Sequence, residues 1–293
     1  MILLFKDSFF YVIEKYDKII RMKTLKNLVN KIKHCQIKEQ LVFLLIIAVY
    51  LFCTIIYSGI RQENDKIAIL GFHNVVSDKV KQEKYPYNMW VDSESAFREK
   101  IAYLYEQGYQ TWTMKELYEW KCGKREKPQR VVVLTFDDGY EASKTLIAPI
   151  LKEYGFCGTT FVIGSNTRNP KKASLFLDYD DIKRQDHMKY YSHTYQLHYR
   201  KDHRYAIDIS TKEQLQNDFK KQQEITDCSY VAYPYGHYND MIVTVLKENG
   251  VKMAFGYHEN RKASRYGDFY TIPRFSINAY TTLDTMKAML DSD

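Results

Sequence analysis

Hydrophobic and polar positions change their period several times along the chain. The longest apolar tract, LVFLLIIAVYLFCTIIYSGI at 41–60, holds no charged residue. At about 1.5 Å rise per residue, a helix of that length spans roughly the 30 Å hydrocarbon core of a bilayer, which predicts one transmembrane helix. Beyond Arg61, short β-branched runs alternate with stretches of helical spacing. Strands are predicted at 67–72, 111–114, 131–138, 159–164, 188–193, 230–235, 253–257 and 270–277. Helices are predicted at 95–107, 114–120, 142–154, 211–225 and 241–249. Gly108 and Gly250 follow the first and last of them, where a left-handed residue commonly ends a helix. Repeated strand–helix units with runs such as VVVLTF predict an α/β domain, a distorted (β/α) barrel of about seven parallel strands whose C-terminal ends carry the chemistry. The polar stretch 77–89 reads as a flexible loop near that rim. Three regions follow: a basic segment at 1–40, the membrane helix at 41–60 and a catalytic domain at 61–293.

Charge sharpens the topology. The net charge is +7, and residues 1–40 hold nine Lys/Arg against four Asp/Glu, so +5 of it lies before the apolar tract. The remaining +2 is too little for a general nucleic-acid binder. Lys31, Lys33 and Lys38 directly before the span place the N-terminus in the cytoplasm and the catalytic domain outside, at the cell membrane. The tract is too long for a signal-peptide core and no small-residue cleavage site follows, so it reads as a retained single-pass anchor. Phe5, Phe9, Val12, Ile13, Tyr16 and Ile20 have near-helical spacing that suits the inner membrane surface; a start of translation at Met22 would remove them. Cys122, Cys157 and Cys228 lie beyond the span with no CxxC spacing, which leaves one bridge plus a free thiol open.

Three fragments carry candidate chemistry. VVVLTFDDGY at 131–140 runs a buried strand into two adjacent carboxylates, Asp137 and Asp138. Strand neighbours face opposite ways, so the two have different tasks, and Gly139 permits a sharp turn behind them. SHTYQLH at 192–198 sets His193 and His198 on a loop that is able to bring both imidazoles to one ion. One Asp and two His leave coordination positions open, the pattern of a catalytic divalent site. VAYPYGHYN at 231–239 brackets a rigid turn with Pro234 and Gly236 at another strand end. Singly, each fragment is equally compatible with a solvated turn, a chance histidine pair or a structural corner.

In this order the three resemble the polysaccharide deacetylase family, the NodB-homology or family 4 carbohydrate esterases. The resemblance extends over GFHNV at 71–75 and FREKIAYLYEQGY at 97–109. It is nearest to the biofilm poly-N-acetylglucosamine deacetylases, which share the five-residue histidine spacing. It implies that Asp138, His193 and His198 bind a divalent metal, zinc with cobalt or nickel as alternatives. It implies that Asp137 is the general base, that the Tyr235 backbone N–H stabilises the oxyanion, that Thr194 supports the histidine loop, and that Tyr233, Pro234, Tyr235 and Gly236 line the substrate groove. The implied substrate is an N-acetylated cell-surface polysaccharide, with a synthase or export complex as a partner; peptidoglycan deacetylation and a silent glycan-binding role are the alternatives. Two departures stand out. The family's arginine two residues before the proline is Ala232 here, and Arg274 is the candidate to replace it from a later strand. The late Leu-x-x-His motif that supplies a general acid has no equivalent after residue 260, and His258 is the nearest histidine.

Overall fold

A computed structural model describes residues 37–167, 169–172, 174–183 and 188–292. The amphipathic stretch 1–20 and the rest of the basic segment to residue 36 lie outside the described residues. The chain divides into two units, Met1–Arg61 and Gln62–Asp293. In the first, α1 (Ile37–Asn64) begins and runs through the apolar tract. Its side chains are described over 41–55, where Leu41, Leu44, Leu45, Val49, Phe52 and Ile55 are exposed. Among the described residues, no helix is long and apolar enough to cross a membrane.

The second unit is built on a nine-stranded sheet. Its strands are β1 (Lys66–Phe72), β2 (Gln110–Thr111), β3 (Val131–Phe136), β4 (Gly158–Val162), β5 (Met188–Ser192), β6 (Asp227–Ala232), β7 (Met253–Phe255), β8 (Ala263–Ser264) and β9 (Phe275–Ser276). The order along the sheet is β7-β6-β5-β4-β3-β1-β8, with β2 beside β3 and β9 beside β1. All these pairings are parallel except β1–β8. The register of β1 on β3 runs from Ala68↔Val132 to Phe72↔Phe136. Ile272 bridges Phe255 of β7 while Phe275 pairs Leu70 of β1, so the sheet curls until its two ends are linked by one short segment. The expected barrel is therefore curled and distorted.

Both faces of the sheet are buried, which explains the continuous apolar strand runs. Ile67, Ile69, Val131, Val133, Phe161 and Phe255 form one cluster, which α3 (Met114–Lys121) joins through Met114, Leu117 and Trp120. Ala68, Leu70, Phe72, Val132, Leu134 and Phe136 point the other way, against α2 (Glu94–Glu106), α4 (Ala148–Glu153) and α7 (Leu283–Asp291). Between them in the chain lie α5 (Lys212–Gln223) and α6 (Asp240–Glu248). Thr113 and Glu116 form a capping box at α3, and Thr211 and Gln214 form one at α5.

Several expected boundaries move for local reasons. The strand expected at 111–114 stops at Thr111 because Thr113 caps α3. The strand expected at 270–277 keeps only Phe275–Ser276; Pro273 within it has no N–H to give a ladder. The stretch 77–89, expected as a flexible loop, contains the helix Asp78–Lys84, started by Ser77 accepting the Val80 N–H. Cys122, Cys157 and Cys228 are free thiols.

Candidate active site

The C-terminal ends of five strands deliver the polar groups to one rim. His73 follows β1, Asp137 and Asp138 follow β3, His193 follows β5, the Tyr233–Gly236 turn follows β6, and Tyr257 and His258 follow β7. Arg274 arrives from the segment that closes the ring.

Asp137 continues β3 by one hydrogen bond, its N–H donating to the Phe72 carbonyl at 2.9 Å. Its side chain stays on the face of Thr135. There Arg274, fully buried, donates Nη1 to Oδ1 at 2.8 Å and Nη2 to Oδ2 at 2.9 Å. The guanidinium is itself held, Nε by the Gly256 carbonyl at 2.7 Å and Nη1 by Thr135 Oγ1 at 3.2 Å. Burial would raise the Asp137 carboxyl, but Arg274, with His193 and His73, holds it well below the ordinary carboxylate range. Arg274 thus stands beside Asp137, while position 232 is alanine.

Asp138 leaves the strand in the left-handed region at φ 75°, and Gly139 follows at φ 81°. A side chain at 139 would press on Val162, its Cβ 3.0 Å from Cγ1. The turn aims Asp138 Oδ1 at His193 Nε2, 3.6 Å away, and His198 Nε2, 3.4 Å away. Ligand atoms of the three residues lie within 4.8 Å of one another. Oδ1 is buried and accepts no hydrogen bond. A buried anionic oxygen without a donor, facing two imidazoles, is the environment that a cation satisfies. His193 Nδ1 must donate to the Ala232 carbonyl at 2.8 Å, because a carbonyl only accepts, and this leaves the Nε2 lone pair toward Asp138. Burial lowers the His193 imidazole to about 3 and lowers His198 as well, so both imidazoles are neutral at neutral pH. Burial pushes the Asp138 carboxyl up to about 6, with Asp137 adding to the rise.

The loop between the histidines is tightly braced. Thr194, at φ 65°, donates its N–H to Ser192 Oγ and accepts the Leu197 N–H on its own Oγ1. Asp218 of α5 accepts the Tyr195 and Gln196 N–H groups, both at 2.8 Å. The Pro234–Gly236 turn packs beside it, with Tyr235 at φ 58° and its ring 4.2 Å from that of His198. Gly236, at φ 69°, has no room for a side chain: a Cβ would lie 2.4 Å from the Tyr257 backbone nitrogen. Tyr233 departs from expectation. It is fully buried and donates its hydroxyl to the Tyr270 carbonyl at 3.0 Å, so it anchors the turn from beneath and is no groove-lining side chain. Pro234 is buried likewise, while Tyr235 is exposed.

Beside the turn, where Tyr257 meets Gly236, lies a ring cluster absent from the expected site residues. The His73 ring stands 4.6 Å from Trp90 and 5.3 Å from Tyr257, whose hydroxyl donates to the Gly71 carbonyl at 2.7 Å. His258, at φ 69°, packs 4.6 Å from Tyr257 and 6.0 Å from Trp90. Burial lowers the His73 imidazole against the opposing pull of Asp138 and Asp137. His73 lies in the GFHNV stretch of the family resemblance, which gave it no role; its position at the same rim as Asp137 does.

Comparison with known proteins agrees with this arrangement. A family model described as Polysaccharide deacetylase matches residues 124–254. A Staphylococcus epidermidis protein named poly-beta-1,6-N-acetyl-D-glucosamine N-deacetylase is 25% identical over 250 residues, 76% of this chain and 84% of its own length. Its namesake from Staphylococcus aureus is 30% identical over 203 residues, 64% of this chain and 67% of its own length. Among solved structures, the Streptococcus pyogenes deacetylase PplD covers 78% of this chain at TM-score 0.66 and 21% identity, with 99% of its own chain covered. IcaB from Ammonifex degensii covers 78% at TM-score 0.64 and 21% identity, with 98% of its own chain covered. These two likenesses speak for the fold. The matched family region holds both carboxylates, both histidines and the Pro–Tyr–Gly turn, and this chain belongs to the polysaccharide deacetylase family, as an enzyme of that type.

Proposed function

We propose that the chain removes N-acetyl groups from N-acetylglucosamine units of a cell-surface polymer of the poly-β-1,6-N-acetylglucosamine type. The convergence of Asp138, His193 and His198 on one point, with Asp137 beside them, carries this reading. The names of the staphylococcal relatives support the choice of polymer.

The three residues would hold a divalent cation, zinc by their donor set, with cobalt or nickel as substitutes. Such a cation acts as a Lewis acid on the amide and makes water a nucleophile near neutral pH. The remaining work belongs to the chain. Each Asp137 oxygen has one lone pair engaged by Arg274 and keeps another with which to take a proton from the attacking water. The fork of Arg274 fixes the carboxylate plane. The Tyr235 backbone N–H stabilises the developing negative charge on the carbonyl oxygen, a contribution typically worth about 3–4 kcal/mol for one well-aimed donor. His73, at the same rim, takes up a proton and as the imidazolium hands it to the leaving nitrogen, an acid that burial strengthens; this is the task for which the sequence offers no late histidine.

The proposal includes a location. The apolar helix at 41–60 anchors the chain in a membrane as a single pass, N-terminus inside, with 61–293 outside, where such a polymer emerges from its synthase or export complex. The exposed apolar side chains of 41–55 support this reading, because ten large apolar residues facing water there would be costly. Acetate release from acetylated glucosamine oligomers by the full-length chain tests the activity. No release with zinc, cobalt or nickel supplied would refute it.

A further inference from the structure

Directly after the metal-facing loop the chain makes a small hairpin, with Arg200–Lys201 paired antiparallel to Arg204–Tyr205. It is locally unfavourable in two ways. Lys201 stands directly across from Arg204, a like-charge pair that destabilises a two-strand ladder. The turn residues Asp202 and His203 both occupy the left-handed region, at φ 49° and 62°, without a glycine. Costly local geometry kept beside a catalytic rim points to function.

The hairpin is tied to the site by a series of rings. The Tyr235 ring lies 4.2 Å from His198, and Tyr205 lies 5.5 Å from Tyr235. Tyr205 stacks on His237 at 4.1 Å and carries the Arg200 guanidinium 4.4 Å from its centre. Arg200 is therefore a positioned cation rather than a freely moving one. The three cations, Arg200, Lys201 and Arg204, are all exposed, and Asp202 is the only carboxylate on the hairpin. The nearby Asp208 is engaged by His237 Nε2 and Asn239 Nδ2 and interacts with Arg204, so it offsets only part of the hairpin's positive charge. Arg204 donates to the Asp208 carbonyl at 3.3 Å.

We propose that this cationic hairpin is a specificity element that reads the charge of the sugar next to the scissile unit on the Tyr235 side. The idea rests on the deacetylase reading above, since each turnover converts a neutral N-acetyl unit into an ammonium-bearing glucosamine. A neutral neighbour is accepted, and a neighbour that has already lost its acetyl group is repelled. Such an enzyme slows as its own products accumulate along the chain and leaves acetylated units beside deacetylated ones.

The test compares two β-1,6-linked oligomers, one fully N-acetylated and one carrying glucosamine at alternate units. Each is given to the full-length enzyme at mildly acidic pH, where the amine is protonated, and the readout is the ratio of acetate release per acetylated unit. Several positioned surface charges in water imply a ratio of about threefold to tenfold in favour of the acetylated oligomer at low salt. The ratio is expected to fall toward one at high salt, which needs no substitution, and in the variant R200Q/K201Q/R204Q. Equal rates at low salt overturn the inference and leave the deacetylase reading intact. A ratio unmoved by both salt and the triple substitution also overturns it. No acetate from either oligomer removes both.

Discussion

Replacing Arg274 by glutamine removes both hydrogen bonds from the guanidinium to Asp137, at 2.8 and 2.9 Å, inside a region with almost no exposure to water. Breaking a buried pair from one side costs about 3–5 kcal/mol, because the other charge stays buried and unpaired. For a unit of this size, each kcal/mol lowers Tm by about 2–4 °C, so a fall of roughly 6–20 °C follows. In the native protein the lowered Asp137 carboxyl contributes stability that is present above its unfolded value of about 3.9 and is lost as pH falls toward the lower folded value. In Arg274→Gln, the main influence opposing burial is gone, with only His193 and His73 left, and the carboxyl rises, so the sign reverses. The variant loses stability as pH rises through and above the ordinary carboxylate range, and its deficit against the native protein is largest at neutral pH. The acid limb of its activity profile moves to higher pH, and turnover falls about 100-fold through loss of the base's orientation. Thermal unfolding at several pH values and a pH–rate profile check this. The double variant Asp137→Asn/Arg274→Gln should regain part of the lost stability but no activity. A Tm within a degree or two of the native value, with an unshifted profile, would refute the reasoning.

Three further outcomes are expected. Gly236→Ala places a Cβ 2.4 Å from the Tyr257 backbone nitrogen at a φ of +69°, so stability falls by about 1–3 kcal/mol or more and activity falls with it, read by urea unfolding and acetate release. His73→Gln retains metal at the native level but lowers kcat about 100-fold, since it removes a proton donor and no ligand; metal analysis beside kinetics separates the two. The full-length chain stays with membranes through alkaline carbonate washing, and protease added from outside digests 61–293 only; release by the wash would contradict the anchor.

Much of this was legible in the sequence because the signals were local. The run 131–136 could bury both faces only as an inner parallel strand, and the carboxylates after it had to fall at a strand end. His193 and His198 declared themselves by proximity in the chain. What was hidden depended on contacts between distant segments. Tyr233 sits in a groove-like motif, yet its hydroxyl finds the Tyr270 carbonyl and its ring goes into the core. His73 has Asn74 and Phe72 as neighbours, and its significance comes from Trp90 and Tyr257. Arg274 was reachable only through the resemblance, because nothing local marks an arginine after proline as a partner of Asp137. The helix Leu283–Asp291, not among the expected helices, has a local trace in Thr282 as cap and Met286 and Leu290 at helical spacing.

The central claim is that Asp138, His193 and His198 grip a cation on which deacetylation depends. Metal content of the purified full-length chain, measured beside that of Asp138→Asn and paired with acetate release, tests it most directly. The account predicts about one divalent ion per native chain, none in the variant, and activity abolished by chelation and restored by zinc, cobalt or nickel. Acetate release by a native chain free of metal, unchanged by chelator and by Asp138→Asn, would contradict it.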